Sequence, residues 1–279
     1  MLIVLAIFQR TGSVTVSFAE VEVLLRTLIE EYSKTSKGRG RPEFPFHYLQ
    51  SDGFWRVKGP NGEDSPGGMV SALRDGYVGE FIDEFLVDLR SDPALSGSLV
   101  HAILDNNFPK SLHDEILLKV GFDNQDISFE TVVTQRISRV REAQFREDVL
   151  DAYESKCAFC GYDGRIGGAS VGVEAAHLKW HAFGGDANVT NGLALCTMHH
   201  KLFDRGAIAV SIEYEIMISP QYSGASEASF QMVTALAGRE MSQPKSQYQP
   251  PMQKNVEWHL RSVFRAPSTL SNGRKKSRP

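Results

Sequence analysis

The chain has 279 residues, which is enough for one large domain or two domains of ordinary size. Hydrophobic residues make up 42% of the sequence and charged residues 23%, a globular balance that excludes a chain without a core. The formal net charge of −4 excludes a polycation, so any surface that binds nucleic acid has to be a local patch.

The first elements predicted along the chain are helices. The opening MLIVLAIF is too short to span a bilayer and lacks both the basic start and the cleavage site of a signal peptide, so we expect a buried helix. Ser17–Glu20 is a capping-box sequence, and apolar residues at helical spacing follow it as far as Tyr32. A polar, basic loop is expected at Lys34–Arg41.

An aromatic-rich segment comes next. The segment 42–57 predicts a turn that leads into a short strand at Phe54–Val57. Helical patterns return in three later segments, 81–89, 92–106 and 111–121. We therefore predict a mostly helical first domain with a small strand element over residues 1–122.

The rest of the chain predicts a second domain. Residues 123–140 are polar and weakly periodic, which is typical of a linker. The segment 141–156 places four large side chains on one helical face: Phe145, Val149, Leu150 and Tyr153. Strands are expected within 207–218, a closing helix at 257–264 and a basic disordered tail at 266–279. The fold class is therefore α+β, with the second domain at 141–265.

The three cysteines of the chain lie close together in sequence. Cys157 and Cys160 form a Cys-x-x-Cys pair, and Cys196 and His199 form a Cys-x-x-His pair. Three sulfurs and one imidazole make a tetrahedral donor set that suits structural zinc, and an odd cysteine count argues against a disulfide framework. The alternative is three unrelated buried cysteines, which does not account for two matched spacings. We therefore predict a structural Zn²⁺ site.

Three motifs lie between and after these pairs: EAAH (174–177), TNGLALC (190–196) and HHKLFDRG (199–206). Framed by the cysteine pairs, they resemble the HNH nucleases of the ββα-metal superfamily. The resemblance covers roughly residues 145–210 and implies a hairpin and a helix that surround one active site. It also implies hydrolysis of phosphodiester bonds with a divalent ion, Mg²⁺ or Mn²⁺.

The resemblance assigns roles to individual residues. It implies His177 as the general base for water, Asn191 as the residue that hydrogen-bonds the hairpin backbone and fixes the His177 loop, and His200 as a ligand of the divalent ion. Neighbouring residues of a helix point about 100° apart, so His199 can face the zinc while His200 faces the cleft. Asp204 lies one turn beyond His200 and is expected to be a second ligand or a partner of a ligand.

One position departs from the pattern of the family. Many members carry Asp or His as a metal ligand immediately before the catalytic histidine, where this chain has Ala176. Glu174 shares the strand face of Ala176 and can reach the ion instead. Lys179, Lys201 and Arg205 flank the expected cleft, where they either contact phosphates or are ordinary solvated charges.

A second resemblance lies in the first half of the chain. PEFPFHYLQSDGFWRV, LRSDPAL and NNFPKSLHDEILLKVGF resemble the N-terminal domain of modification-dependent, type IV-like restriction endonucleases, which recognises sulfur in phosphorothioate DNA. A shallow apolar pocket suits the large, weakly hydrated sulfur, with cations beside it. Phe44, Pro45 and Tyr48 are the expected pocket, with Arg39 and Arg41 on the DNA backbone. The alternative is that the aromatic residues belong to the core.

Together these patterns predict a metal-dependent endonuclease, a restriction enzyme of a prokaryotic cytoplasm that targets phosphorothioate-modified double-stranded DNA. No membrane partner is expected. One site per chain cannot cut both strands at once, so a homodimer on DNA or sequential nicking is expected. Two alternatives stay open: a non-catalytic, zinc-containing DNA-binding module, and an HNH nuclease that is indifferent to modification.

Overall fold

The structure is a computed structural model that describes residues 1–32, 40–122 and 132–266. The chain divides into two compact units, Met1–Glu130 and Thr131–Pro279. Among the described residues, no helix combines the length and the apolar character that a membrane crossing requires. Most of the predicted basic loop and nearly all of the predicted tail lie outside the described residues.

The first unit is mostly helical. Its helices are α1 (Leu2–Thr11), α2 (Phe18–Tyr32), α3 (Glu43–Tyr48), α4 (Val70–Arg74), α5 (Asp83–Ser91), α6 (Pro93–Asn107) and α7 (His113–Val120). Its strands are β1 (Thr15–Ser17), β2 (Trp55–Lys58) and β3 (Val78–Phe81), which form an antiparallel sheet in the order β1-β3-β2. Helix α1 contains most of the opening apolar run, and its residues from Ile3 to Ala6 are buried, as the sequence predicts.

Two helix starts in this unit follow directly from the sequence. Before α2, the backbone N–H of Ser17 donates to Glu20 Oε2 (3.0 Å) and that of Glu20 donates to Ser17 Oγ (3.3 Å), so the predicted capping box is confirmed. Before α6, the N–H of Ala94 donates to Asp92 Oδ1 (2.9 Å). These caps satisfy N–H groups that have no partner inside the helix.

Two predictions for this unit are wrong. The stretch EFPFHY forms helix α3 and not a turn, because Pro45 lies in the first helical turn, where its missing N–H costs no helical hydrogen bond. Buried Phe46 anchors α3, and its carbonyl accepts a hydrogen bond from Trp55 Nε1 (3.0 Å). Phe81 belongs to strand β3, opposite Trp55, and the helix predicted to include it begins at Asp83.

The second unit contains a run of short strands between helices. Its helices are α8 (Val132–Ala152), α9 (Thr197–Asp204), α10 (Glu227–Met232) and α11 (Gln253–Ser262). Its strands are β4 (Arg165–Ile166), β5 (Ala169–Ser170), β6 (Val173–His177), β7 (Gly192–Cys196), β8 (Ile208–Val210) and β9 (Ile216–Ile218), paired as three antiparallel hairpins. Helix α8 begins inside the segment predicted as a linker, of which residues 123–131 lie outside the described residues.

The centre of the second unit is the hairpin of β6 and β7. Its register places His177 opposite Gly192 and Val173 opposite Cys196. Helix α8 packs closely against the hairpin at Gly192, where a Cβ atom would lie 2.4 Å from Val149 Cγ2. Glycine permits this approach because it has no side chain, and the approach holds the end of β6 against α8.

Candidate active site and metal centre

The four predicted zinc ligands come from three separate pieces of the chain. Cys157 and Cys160 lie on the turn after α8, Cys196 ends β7, and His199 lies in the first turn of α9. Their ligand atoms all lie within 4.8 Å of one another. The Nδ1 atom of His199 is 3.4 Å from the Sγ atom of Cys157 and 3.1 Å from that of Cys196. Three sulfurs and one nitrogen at this spacing fit a tetrahedral zinc ion.

Hydrogen bonds around the cluster orient His199 and shift the pKa values of the candidate ligands. The Nε2 atom of His199 donates to the Met232 carbonyl oxygen (2.8 Å), so the ring presents Nδ1 to the thiols. Hydrogen bonds from Cys160 and Cys196 lower the pKa of Cys157. Burial lowers the pKa of His199, but hydrogen bonds with Cys157 and Cys160 outweigh it and raise that pKa to about 10. Hydrogen bonds with Cys157 and Cys160 raise the pKa of Cys196 instead. A bound zinc ion would displace the remaining protons, because it binds thiolates and a neutral imidazole.

Asn191 ties the loop after β6 to the start of β7. Its side chain is fully buried. The Oδ1 atom accepts from the backbone N–H of Lys179 (2.8 Å), and Nδ2 donates to the carbonyls of Lys179 (2.9 Å) and Asp186 (2.8 Å). The backbone carbonyl of Asn191 also accepts from the N–H of Leu178 (2.9 Å). One amide side chain thus fixes both ends of the loop that begins next to His177.

His177 is the last residue of β6 and is half-buried. Its ring stacks on Phe145 of α8, with the centroids 3.9 Å apart and the planes 18° apart. Phe145 was predicted as a core residue only, and its sequence position gives no sign of the stacking partner. The stack limits rotation of the imidazole at the end of the hairpin.

His200 lies between two carboxylates. Its Nδ1 atom is 2.7 Å from Glu174 Oε2 on β6, and its Nε2 atom is 3.1 Å from Asp204 Oδ2, one helical turn farther along α9. Burial lowers the pKa of His200, but Asp204 and then Glu174 outweigh it and raise that pKa to about 10. The hydrogen bond from His200 in turn lowers the pKa of Glu174. Two carboxylates and one imidazole form a donor set that a divalent cation can use.

The structure brings three of the predicted site residues together. Glu174, His200 and Asp204 are in direct contact, and Ala176, on the same strand face as Glu174, is fully buried and offers no donor. His177 stacks on Phe145 of α8. In a regularly paired strand residues 174 and 177 project to opposite faces, so a phosphate that meets His177 and His200 has to lie across the end of β6.

The predicted sulfur-binding residues lie on the surface of α3. Phe44 is 37% exposed and Tyr48 60% exposed, whereas Phe46 is the aromatic residue that enters the core. The Phe44 and Tyr48 rings pack edge to face at 5.8 Å, and the guanidinium of Arg41 lies 5.0 Å from the Phe44 ring centroid. Pro45 is exposed beside them. Arg39 lies outside the described residues.

Two family models match the chain, one on each unit. Residues 157–211 match the model of HNH endonucleases. The second unit contains an HNH endonuclease domain. Residues 1–125 match the model of the ScoMcrA-like DNA sulfur-binding domain, so the first unit is a DNA-binding domain of that kind. The recognition of both domains from sequence motifs is therefore confirmed, and so is the α+β fold class.

A solved structure of the modification-dependent TagI restriction endonuclease is also similar. The two chains share 18% sequence identity with a TM-score of 0.34, and the similarity covers 43% of this chain and 37% of that enzyme. The chain therefore matches little more than a third of the length of that relative. No curated protein matches the chain in sequence.

Proposed function

We propose that the protein is a restriction endonuclease that hydrolyses phosphodiester bonds in phosphorothioate-modified double-stranded DNA. The observation that carries the proposal is the presence of a DNA sulfur-binding domain and an HNH endonuclease domain on two compact units of one chain. A binding domain selects the target, and a nuclease domain with little base preference acts on it. This division of labour suits an enzyme that has to spare unmodified DNA.

In the proposed reaction, His177 accepts a proton from the attacking water. Imidazole suits this task because its unperturbed pKa is near neutrality. Stacking on Phe145 and the loop that Asn191 holds keep the His177 ring in place. A divalent ion, Mg²⁺ or Mn²⁺, at the cluster of His200 and Asp204 supplies charge for the phosphate and the leaving oxygen when bound. His200 and one of the two carboxylates beside it, Asp204 or Glu174, would hold this ion, and Asn191 positions His177.

The Cys157, Cys160, Cys196 and His199 cluster holds a structural Zn²⁺ in this proposal. It joins the turn after α8, the end of β7 and the start of α9. Because α9 also carries His200, the zinc fixes the angle at which that residue meets Glu174. The zinc contributes folding energy and takes no part in the chemistry.

For target recognition, Phe44, Pro45 and Tyr48 form the apolar surface that receives the sulfur atom. Sulfur is softer and less well hydrated than the oxygen it replaces, so contact with apolar rings favours it. Arg41, over the Phe44 ring, balances the remaining charge of the backbone, with Arg39 as a second cation. We place the enzyme in a prokaryotic cytoplasm and expect it to act as a homodimer on DNA or by sequential nicking.

The test of cleavage uses supercoiled plasmid with Mg²⁺ or Mn²⁺. Wild type should nick it, and His177→Ala should lower the rate by about 10²–10⁴-fold, the usual contribution of a general base. His181→Ala is a matched control, because His181 lies on the same loop and has no role in the proposed chemistry. No nicking by wild type, with zinc bound, would favour the non-catalytic DNA-binding module.

The test of target choice compares two duplexes of equal sequence, one with a phosphorothioate and one without. Tighter binding and faster cutting of the modified duplex are expected. Equal affinity for the two duplexes would favour a nuclease that is indifferent to modification.

A further inference from the structure

We propose that Glu174 and His200 Nδ1 are the protein ligands of the divalent ion and that Asp204 orients the His200 ring without touching the ion. This inference rests on the proposed function and decides between the two carboxylates that flank His200. It makes Glu174 a metal ligand and Asp204 a positioning residue.

The chemistry of imidazole requires a choice between the two carboxylates. A histidine ligand binds a metal through one ring nitrogen and donates a hydrogen bond from the other, commonly to a carboxylate. In this protein, Glu174 is at Nδ1 (2.7 Å) and Asp204 is at Nε2 (3.1 Å). The ion therefore joins one of these carboxylates, and the other accepts the remaining N–H of His200.

Exposure decides which side the ion takes. The Glu174 side chain is 43% exposed, whereas the Asp204 side chain is 1% exposed. An ion that acts on a DNA phosphate has to keep positions open for a phosphate oxygen and for water. The Nδ1 side of His200 offers that access, and the Nε2 side is closed within the domain. Asp204 is thus suited to hold the N–H at Nε2, as carboxylates do in carboxylate–histidine–metal arrangements.

The position of Glu174 also suits a ligand. Ligands about 2.1 Å from an octahedral ion are about 3 Å from their neighbours, which is close to the 2.7 Å between Glu174 Oε2 and His200 Nδ1. The Thr197 hydroxyl donates to the other oxygen of Glu174, Oε1 (3.1 Å), so the carboxylate is held with Oε2 toward His200. A divalent ion can therefore bind between Glu174 and His200 after only a small shift of these two side chains.

The experiment is pulsed electron paramagnetic resonance of Mn²⁺ bound to the full-length, zinc-loaded protein without DNA. The spectrum reports the nitrogen atoms coordinated to Mn²⁺. Wild type should show one such nitrogen, from His200. Glu174→His should show two, because the new imidazole takes the place of a ligand. Asp204→His should still show one. Two nitrogens in Asp204→His, or one in Glu174→His, would overturn the proposal, as would a wild type that binds no Mn²⁺.

A second measurement covers a Glu174→His variant that binds no Mn²⁺. Water-proton relaxation counts the water molecules on the ion. Glu174→Ala should gain one water, because it removes a ligand oxygen, while Asp204→Asn gains none. The reverse result would overturn the assignment. Glu213→Gln, an exposed glutamate between β8 and β9, is the control and should bind Mn²⁺ as wild type does.

A protein that binds Mn²⁺ as described but does not cut DNA contradicts the proposed function alone. One that cuts DNA with Asp204 as the ligand contradicts this inference alone.

Discussion

Each unit of the chain has a hydrophobic core, and the second unit adds a candidate metal cluster among its described residues. In the first unit, the aromatic residues Phe18, Phe46, Trp55 and Phe81 pack edge to face in the core. The HNH unit draws three thiols and His199 together at one end of its hairpin. A packed core loses stability in proportion to what each substitution removes, whereas a metal cluster fails as a whole when one ligand is lost.

Buried charge is also used differently in the two units. In the first unit, buried Glu22 accepts two hydrogen bonds from Arg74 (2.6 Å each) and one from Arg26 (2.7 Å), so both of its carboxylate oxygens are paired with arginine. In the second unit, His200 joins buried Asp204 to the more exposed Glu174. The charge of Glu22 is paired within the unit and stabilises the fold. The cluster around His200 has one solvent-exposed carboxylate, Glu174, that a ligand can approach.

The largest effect is expected from Cys157→Ser. Structural zinc contributes about 10–16 kcal/mol in small zinc domains, so the HNH unit should lose its cooperative unfolding transition together with its zinc. The first unit should keep its own transition. Calorimetry and zinc analysis of the whole chain test this, and the wild type with a chelator should behave in the same way. A normal second transition without zinc would remove the contrast between the units.

Asn191→Ala should impair the loop next to His177 without affecting the zinc cluster. The substitution removes three side-chain hydrogen bonds from the loop next to His177, so nicking should fall by about 10²-fold as the base loses its position. The zinc content should not change. Asn188→Ala, an exposed asparagine of the same loop, should nick plasmid like wild type. Nicking by Asn191→Ala at the wild-type rate would show that the loop does not position His177.

Glu22→Gln should lower the stability of the first unit alone. Hydrogen bonds from Arg74 lower the pKa of Glu22 from 4.5 to about 2, so the charged group adds stability above pH 4.5 that is lost as the pH falls through about 2. We expect a loss of about 1–2 kcal/mol at pH 7, discounted because the Arg74 side chain is 53% exposed.

Denaturant unfolding at pH 7 and near pH 2 measures this difference. The gap between wild type and Glu22→Gln should shrink as the pH falls between these values. Glu84→Gln, at the exposed start of α5, is the control and should change stability by less than about 0.5 kcal/mol. A constant gap across the pH range would mean that the loss comes from packing and not from charge.

The parts that the sequence predicts well depend on near neighbours in the chain. The capping box at Ser17 and Glu20 needs only three residues of spacing, and the two cysteine pairs need only two intervening residues each. The angle between His199 and His200 follows from helix geometry alone. Such patterns are visible before any tertiary contact is known.

The parts that sequence reasoning missed depend on contacts between distant segments. The stack of Phe145 on His177, the Met232 carbonyl behind His199 and the Thr197 hydroxyl on Glu174 each join residues that no motif links. The sequence predicts a turn where α3 forms, because Pro42 and Pro45 are turn signals by composition. Packing of buried Phe46 overrides these signals. Register and packing, and not residue type, decide these features.

The smallest effect is expected from Phe44→Ala, which tests how the first unit recognises modified DNA. The ring is 37% exposed on α3, so its loss should leave the core intact and remove apolar contact with sulfur worth about 1 kcal/mol, or about fivefold in affinity for phosphorothioate DNA. Fluorescence anisotropy with modified and ordinary duplexes measures it. Val87→Ala removes an apolar side chain that is 64% exposed on α5 and should change neither affinity. An equal loss on both duplexes would make Phe44 a general DNA contact, and no loss would place sulfur recognition away from α3.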